Sequence, residues 1–499
     1  MLEIASSIQN KSTLKLVSRL CQTLNLEGIN YCHWKSNNAL DRSANGENDL
    51  DLLVGREDIQ KFTEILFRLG FKQAKAPLEQ QMPSVLDYYG YDADADKLVH
   101  VHAHYQLIIG QDRTKNYRLP IEKQFLDSVT QGELFKTPTV EFEFIVFVMR
   151  MILKYSTWDA ILTRQGDLPN NARQELAYLQ ERVNWIQIYA HLQQYLPYIN
   201  AELFNTCVQS LQPNYPIWER IQLGHQVQKQ LQAHSRRIHI LDVYLKIWRQ
   251  LARMMKRRIM KKSLKKRFVN GGVMIALVGG DGAGKSTTVD ELYAWLSKNF
   301  DTTKFHLGKP PRSLTTNIVR GGLKITRFFT DIVTPGKSSA PTRVYTHTPS
   351  EFPGYSPLIW HVCSARDRYL TYARARRLAT NGGIVICDRF PLPEIKLMDT
   401  PQIERVVSVE RQNKFINFLS KLEQHWYEYI ALPEVLIILK LHPETAVQRK
   451  TDEKESHVRV RSTEVWELDC QAIDAHVIDT SVSKSEVIAQ IKSLVWSQI

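Results

Sequence analysis

The chain has 499 residues, of which 43% are hydrophobic, 23% charged and 10% aromatic. That balance excludes a mostly disordered, collagen-like or coiled-coil chain, and the length calls for about two to four domains rather than one core. Lys and Arg number 65 against 52 Asp and Glu, a formal charge of +13, which favours anionic partners such as nucleotides, phosphosugars or an acidic membrane face.

The six cysteines are scattered without a CxxC pair. That argues against a zinc module or a disulfide framework and fits a reducing compartment. No apolar run reaches the roughly 18 residues of a spanning helix, and the N-terminus lacks the long apolar stretch of a signal peptide. The expected location is the cytoplasm.

In chain order, the first 135 residues have a mixed texture. NLEGINYCHW, DLDLLV and KLVHVHAHYQLII read as strands, and EDIQKFTEILFRLGF as a helix ending at Gly70. In DLDLLV, alternation puts Asp49 and Asp51 on one face, just after a turn at Gly46. The later strand carries His100, His102 and His104 on one face, where they could bind a metal or a substrate phosphate or form a plain polar face. Asp92, Asp94 and Asp96 lack the Gly and Glu of a calcium loop and read as an acidic hairpin tip. Residues 136–252 read as helices, with apolar residues three and four apart and breakers clustered between. Residues 253–270 form a basic connector. Positions 253–267 hold nine basic residues and no acid, and Met254, Met255, Ile259, Met260 and Leu264 recur at helical spacing.

Residues 271–499 carry the strongest signal. An apolar strand from Val273 to Val278 runs into Gly279-Gly280-Asp281-Gly282-Ala283-Gly284-Lys285-Ser286, an ungapped GxxxxGK[ST], and Thr287 continues into a helix. Glycines there let backbone N–H groups turn inward around phosphates. Lys285 supplies a point charge, Ser286 a hydroxyl for Mg²⁺, and the helix dipole adds positive potential. Downstream, NGGIVICDRF is a strand ending in Asp388-Arg389, where an acid can hold a metal's water shell and an arginine a phosphate. PEVLIILKL is a further strand, followed by a basic run from Arg449 to Arg461, then AHVIDTS and a final helix. Strands alternating with helices predict a doubly wound parallel sheet.

This half, about 230 residues, resembles the thymidylate kinase family of P-loop kinases. The resemblance rests on GGDGAGKSTT, the segment around Arg366-Asp367-Arg368, Asp388-Arg389-Phe390, and the run Arg449 to Arg461. It implies that Gly279 to Thr287 bind ATP and that Asp281, Arg368 and Arg389 bind the acceptor. Ser286 and Asp388 would hold Mg²⁺, and Arg449, Arg459 and Arg461 would form a closing lid. Lys285, Asp388, Arg389 and the lid arginines would then act on the transferred phosphoryl group. The family's acceptor segment is replaced by FHLGKPPRSL and a long insert through TPGKSSAPTRVYTHTPSEFPGYSP, a variant that looks more like kinase-like proteins of bacterial surface-polysaccharide functions. Similarly, the first 135 residues resemble the nucleotidyltransferase fold, in which Asp49 and Asp51 would hold Mg²⁺.

The expected architecture is therefore multidomain: a nucleotidyltransferase-like α/β domain (1–135), a helical region (136–252), a basic connector (253–270) and a P-loop kinase domain (271–499). The expected activity is transfer of the γ-phosphate of ATP, with Mg²⁺, to a nucleoside monophosphate. The alternatives are a kinase for a sugar or sugar phosphate in surface-polysaccharide synthesis, with the N-terminal domain as nucleotidyltransferase, and a non-catalytic nucleotide sensor. Expected partners are the nucleotide or phosphosugar acceptor, a membrane surface touched weakly through 253–267, and a second copy in a homodimer. Nucleic acid is not expected, because no stacking aromatics interleave the basic run.

Overall fold

The computed structural model describes residues 13–158, 168–261, 263–333, 352–397, 399–470 and 472–499, without the side chains of 324–333 and 409. Lys262 of the basic run and most of the insert, residues 334–351, lie outside the described residues. The chain divides into two compact units, Met1–Phe268 and Val269–Ile499.

Unit 1 is built on a mixed sheet of six strands: β1 (Tyr31–His33), β2 (Leu50–Val54), β3 (Lys72–Lys75), β4 (Val85–Asp92), β5 (Lys97–His104) and β6 (Arg267–Phe268). Their order is β1-β2-β5-β4-β3-β6. Only β2 and β5 run parallel; the other pairs are antiparallel. The strand predicted over KLVHVHAHYQLII ends at His104, and Ile108–Ile109 instead pairs with Tyr117–Arg118. Asp92, Asp94 and Asp96 do form the β4–β5 hairpin tip. They are held there by Leu16 N–H, Lys15 and Tyr91 O–H respectively.

One face of the sheet packs on helices Lys15–Leu26 and Ile59–Arg68, with Leu20, Leu24, Phe62, Leu66 and Tyr88 fully buried between them. Each such side chain contributes roughly 1.5–3 kcal/mol by leaving water. A second core joins Cys32, Trp34 and Leu53 of the sheet region to the helices from Val140 to Gln230. One core thus spans the expected boundary at residue 135. The helical stretch after Pro169 is two helices, Asn170–Gln180 and Trp185–Tyr195, because Asn184 caps the second by accepting the Ile186 N–H.

Among the described residues, the basic connector is helical only at its start, although its apolar residues recur at helical spacing as far as Leu264. Its first residues end the helix His239–Arg258, and Lys261 adopts a left-handed backbone with φ 47°. Met254, Met255, Ile259 and Met260 are exposed, and Ile240, Tyr244, Ile247, Trp248 and Leu251 extend the exposed apolar stripe upstream. Lys256 pairs with the buried Glu79 at 2.8 Å, and Arg249 donates to Gln81 O at 3.1 Å, which fastens this helix within unit 1.

Unit 2 is an all-parallel sheet of β7 (Val273–Gly279), β8 (Thr302–His306), β9 (Ile384–Asp388), β10 (Val435–Lys440) and β11 (His476–Asp479), ordered β8-β9-β7-β10-β11. Every residue of β7 is buried, as a central strand covered on both faces requires. Met274, Ala276 and Val278 join the helix Tyr355–Thr380 on one face. On the other, helix Lys285–Leu296 meets helix Lys484–Gln498 through Trp295 and Trp496. The strand order reverses at β7, so the loop leaving its carboxyl end opens into the crevice where such sheets bind ligands. Among the described residues no helix is long and apolar enough to cross a membrane.

Candidate functional sites

In unit 2 the loop after β7 is shaped by its glycines. Gly282 and Gly284 hold φ of 75° and 82°, which side-chain-bearing residues adopt only with strain. A Cβ on Gly280 would come within 3.0 Å of Ser462, whereas one on Gly284 would meet nothing within 4 Å. The loop is therefore packed tightly behind and open in front. The helix Lys285–Leu296 starts directly from it, so its first N–H groups have no partner inside the helix and face the loop's mouth. Ser286 and Thr287 are exposed in its first turn. The Lys285 ammonium is buried and donates to Gly279 O at 2.9 Å and Gly280 O at 2.7 Å. Burial, then repulsion from Arg389, pushes it down to about 8.

Asp388 ends β9 beside His306 of β8. Its Oδ1 is buried and has no hydrogen-bond partner among the described residues. An orphaned carboxylate oxygen whose charge acts on Lys285 at the head of the loop, together with the exposed Ser286 hydroxyl, is a donor set that fits a hard divalent cation such as Mg²⁺. Arg389 has φ 61° and reaches Asp399 Oδ2 at 3.9 Å. A Cβ on Gly308 would come within 2.6 Å of Arg389 and 2.9 Å of Asp399, so the loop after β8 closes over this pair.

Arg368 lies at the same place but is committed elsewhere. It is buried, donating to Leu307 O at 2.8 Å, Gly308 O at 3.3 Å, Asp399 Oδ1 at 3.2 Å and the Tyr427 hydroxyl. The guanidinium expected to bind the acceptor thus holds the loop around Gly308 in place. The lid arginines separate. Arg461 pairs with the buried Asp281 at 3.1 Å and with Glu453 at 2.6 Å. Arg459 is turned to Glu444 and Glu455, and Arg449 donates to Thr480 O at 3.2 Å. Asp399 was not singled out from the sequence, because it sits in PLPEIKLMDTP with no motif around it.

In unit 1, Asp51, His102 and Asp87 are register partners across β2, β5 and β4. His100 Nδ1 is 2.9 Å from Asp49, and Nε2 of both His100 and His102 lies 3.0 Å from Asp87 Oδ1. His104 is buried 3.4 Å from Asp51, and burial lowers it to about 3. For His102, hydrogen bonds to Asp51 and Asp87 outweigh burial and raise it to about 9. Lys266 reaches Asp87 at 2.9 Å. Asp87 was missed in the sequence; the period-two alternation of VLDYYGYD, folded over the hairpin tip, was the available signal.

Asp49 and Asp51 also line a cavity of about 400 Å³ with Lys35, Lys115, Arg150 and Lys154. Lys35 pairs with Asp51 at 2.8 Å. Burial, then repulsion from Lys35, lowers Lys115 to about 8. The helical region holds the loop carrying Lys35. Glu175 accepts from Ser36 N–H at 3.0 Å and Arg150 at 3.1 Å, and Glu143 accepts from Asn37 N–H at 3.3 Å.

Burial raises the Glu143 carboxyl to about 7. Between the ordinary carboxylate range and about pH 7, the folded chain keeps a proton that the unfolded chain has lost. Its contribution to stability therefore falls as pH rises through that window and stays low above it. Glu143→Gln is expected to flatten this fall and to stabilise unit 1 at pH 8 by on the order of 1–3 kcal/mol. Urea midpoints of both proteins between pH 5 and pH 8 check this; a variant less stable than the parent at pH 8 would refute it.

Unit 2 thus belongs by its geometry to the class of parallel α/β units with a glycine-rich loop at the switch point of the sheet. No family model matches the chain. Over 227 residues it is 30% identical to the uncharacterized ATP-binding protein YghR of Escherichia coli strain K12, covering 44% of this chain and 86% of that protein. The protein of the same name from E. coli O6:H1 strain CFT073 matches to the same extent. The chain belongs to the family of this protein.

Proposed function

We propose that unit 2 is an ATP-dependent phosphotransferase of the thymidylate kinase-like P-loop class. The observation that carries this reading is the loop Gly279–Ser286, open at Gly284 and backed by Lys285 and by Asp388 Oδ1, which has no partner among the described residues. The relative's description as an ATP-binding protein supports the same ligand.

Backbone N–H groups of the loop and the first turn of the helix receive the phosphates. Lys285 exchanges its two carbonyl acceptors for phosphate oxygens. Ser286 and Asp388 would hold Mg²⁺, which supplies charge neutralisation on the phosphates. Arg461 is the lid arginine positioned to reach the transferred group, since it already contacts Asp281 of the loop. Arg389 is left to meet the acceptor, with Arg368 holding the wall behind it. The acceptor is a phosphorylated small molecule, a nucleoside monophosphate in the first instance.

A second reading adds unit 1. Asp49 and Asp51 face a cavity with four cationic side chains, an arrangement suited to a metal-bridged triphosphate. That supports a sugar or sugar phosphate acceptor, phosphorylated by unit 2 and nucleotidylated by unit 1. An acceptor screen following ADP release from ATP-Mg²⁺ tests both. Release with nucleoside monophosphates alone supports the first and release with sugars or sugar phosphates alone the second. ATP binding without acceptor-dependent release overturns both and leaves a nucleotide sensor.

A further inference from the structure

The imidazoles of His100 and His102 are each held between carboxylates on opposite sides. Their Nε2 atoms both lie 3.0 Å from Asp87 Oδ1. Their Nδ1 atoms face the other way: that of His100 is 2.9 Å from Asp49 Oδ1, and that of His102 is 3.7 Å from Asp49 Oδ2 and 3.3 Å from Asp51 Oδ1. Lys266 Nζ lies 3.0 Å from His100 Nε2 as well as 2.9 Å from Asp87 Oδ1, so in the cation-free chain protons occupy the Nδ1 positions and face the carboxylates. A cation that displaces those protons meets the two Nδ1 atoms and Asp49 converging on one point. A carboxylate fixing the far nitrogen of a ligating histidine is the usual outer-shell arrangement of protein metal sites.

We propose that Asp49, His100 Nδ1 and His102 Nδ1 form a binding site for a first-row transition cation of the Zn²⁺, Co²⁺ and Mn²⁺ class, with Asp87 as its positioning residue.

One ligand atom from each of the three residues lies within 4.8 Å of the others. Tetrahedral coordination at about 2.0–2.2 Å places ligands about 3.3–3.6 Å apart, between the 2.9 and 3.7 Å seen here. Two imidazoles with one carboxylate select transition cations over Mg²⁺ and Ca²⁺, which take oxygen ligands. Asp49 is 48% exposed, so the remaining coordination positions open to solvent. Lys266 balances the charge of Asp87 from behind at 2.9 Å. Because Asp49 also lines the basic cavity, a cation here would sit at the edge of that cavity. The inference stands whether or not unit 1 transfers nucleotidyl groups.

The test is titration of chelator-treated full-length protein with Co²⁺ in millimolar Mg²⁺, followed by the visible absorption of the bound ion and by calorimetry. One equivalent of Co²⁺ is expected to bind, displaceable by Zn²⁺. His100→Ala with His102→Ala should abolish the band. Asp87→Asn, which touches the far ring nitrogens and Lys266 but none of the proposed ligand atoms, should weaken binding about 10–100-fold. Should the double variant fail to fold by circular dichroism, His100→Gln alone is expected to lower affinity at least tenfold. No Co²⁺ band in the parent protein overturns the proposal. So does a folded histidine variant of unchanged affinity, or a thiolate charge-transfer band showing the ion on a cysteine.

Discussion

Lys285→Ala is expected to lower ATP-dependent phosphoryl transfer by about 10²–10³-fold while the protein stays folded. The ammonium is buried at the mouth of the glycine-rich loop, and its hydrogen bonds go to two carbonyls of that loop rather than to any distant element. Its removal is expected to leave the sheet and the helix Lys285–Leu296 intact, because the amine reaches the sheet only at the Gly279 carbonyl, the last residue of β7. What is lost is a positive charge in a water-poor site, where charge acts more strongly than on the surface. ADP release and the thermal transition should be measured on the same preparation. Unchanged turnover in a folded variant would remove this loop from the active site.

Asp388→Asn is expected to reduce kcat by about 10²-fold and to change the affinity for ATP far less. The amide keeps the shape of the side chain, so the end of β9 is preserved, but it removes the anionic charge of the Oδ1 that has no partner among the described residues. The lid supplies an internal comparison. Arg461→Ala should behave like Asp388→Asn, whereas Arg459→Ala, whose partners are Glu444 and Glu455, should stay within about threefold of the parent. Stopped-flow transfer rates beside equilibrium ATP binding separate the two effects. If Arg459→Ala proved the slower variant, the lid would close in an orientation different from the one seen here.

The glycine-rich loop was legible in the sequence because everything that shapes it is local: a strand, positive-φ glycines and a helix start within one short run. Asp49 and Asp51 were legible for the same reason. Asp87 was not, because its importance comes from register, and only the β4–β5 pairing puts it opposite His102. The lid shows a different limit. In sequence, Arg459 and Arg461 look equivalent. On the helix Glu455–Trp466 two residues turn the direction by about 200°, so one faces the loop and the other faces away. Arg368 reads in the sequence as an acceptor-binding cation, yet the loop after β8 folds over it and supplies two carbonyls that only the tertiary structure brings near.

The last strand of unit 1 bears on how the protein is made. Arg267 and Phe268 pair with Lys75 and Ala74 on the edge of a sheet whose other strands are complete by His104. During synthesis the edge of β3 therefore stays open until more than half of the chain has been assembled, and an open edge is a template for pairing with another nascent chain. Asp87 waits just as long for Lys266. A fragment cut at the helical region, before residue 266, would carry both defects permanently: a bare strand edge, and a half-buried carboxylate that has lost its lysine. The smallest piece of unit 1 that can be handled on its own must run through Phe268.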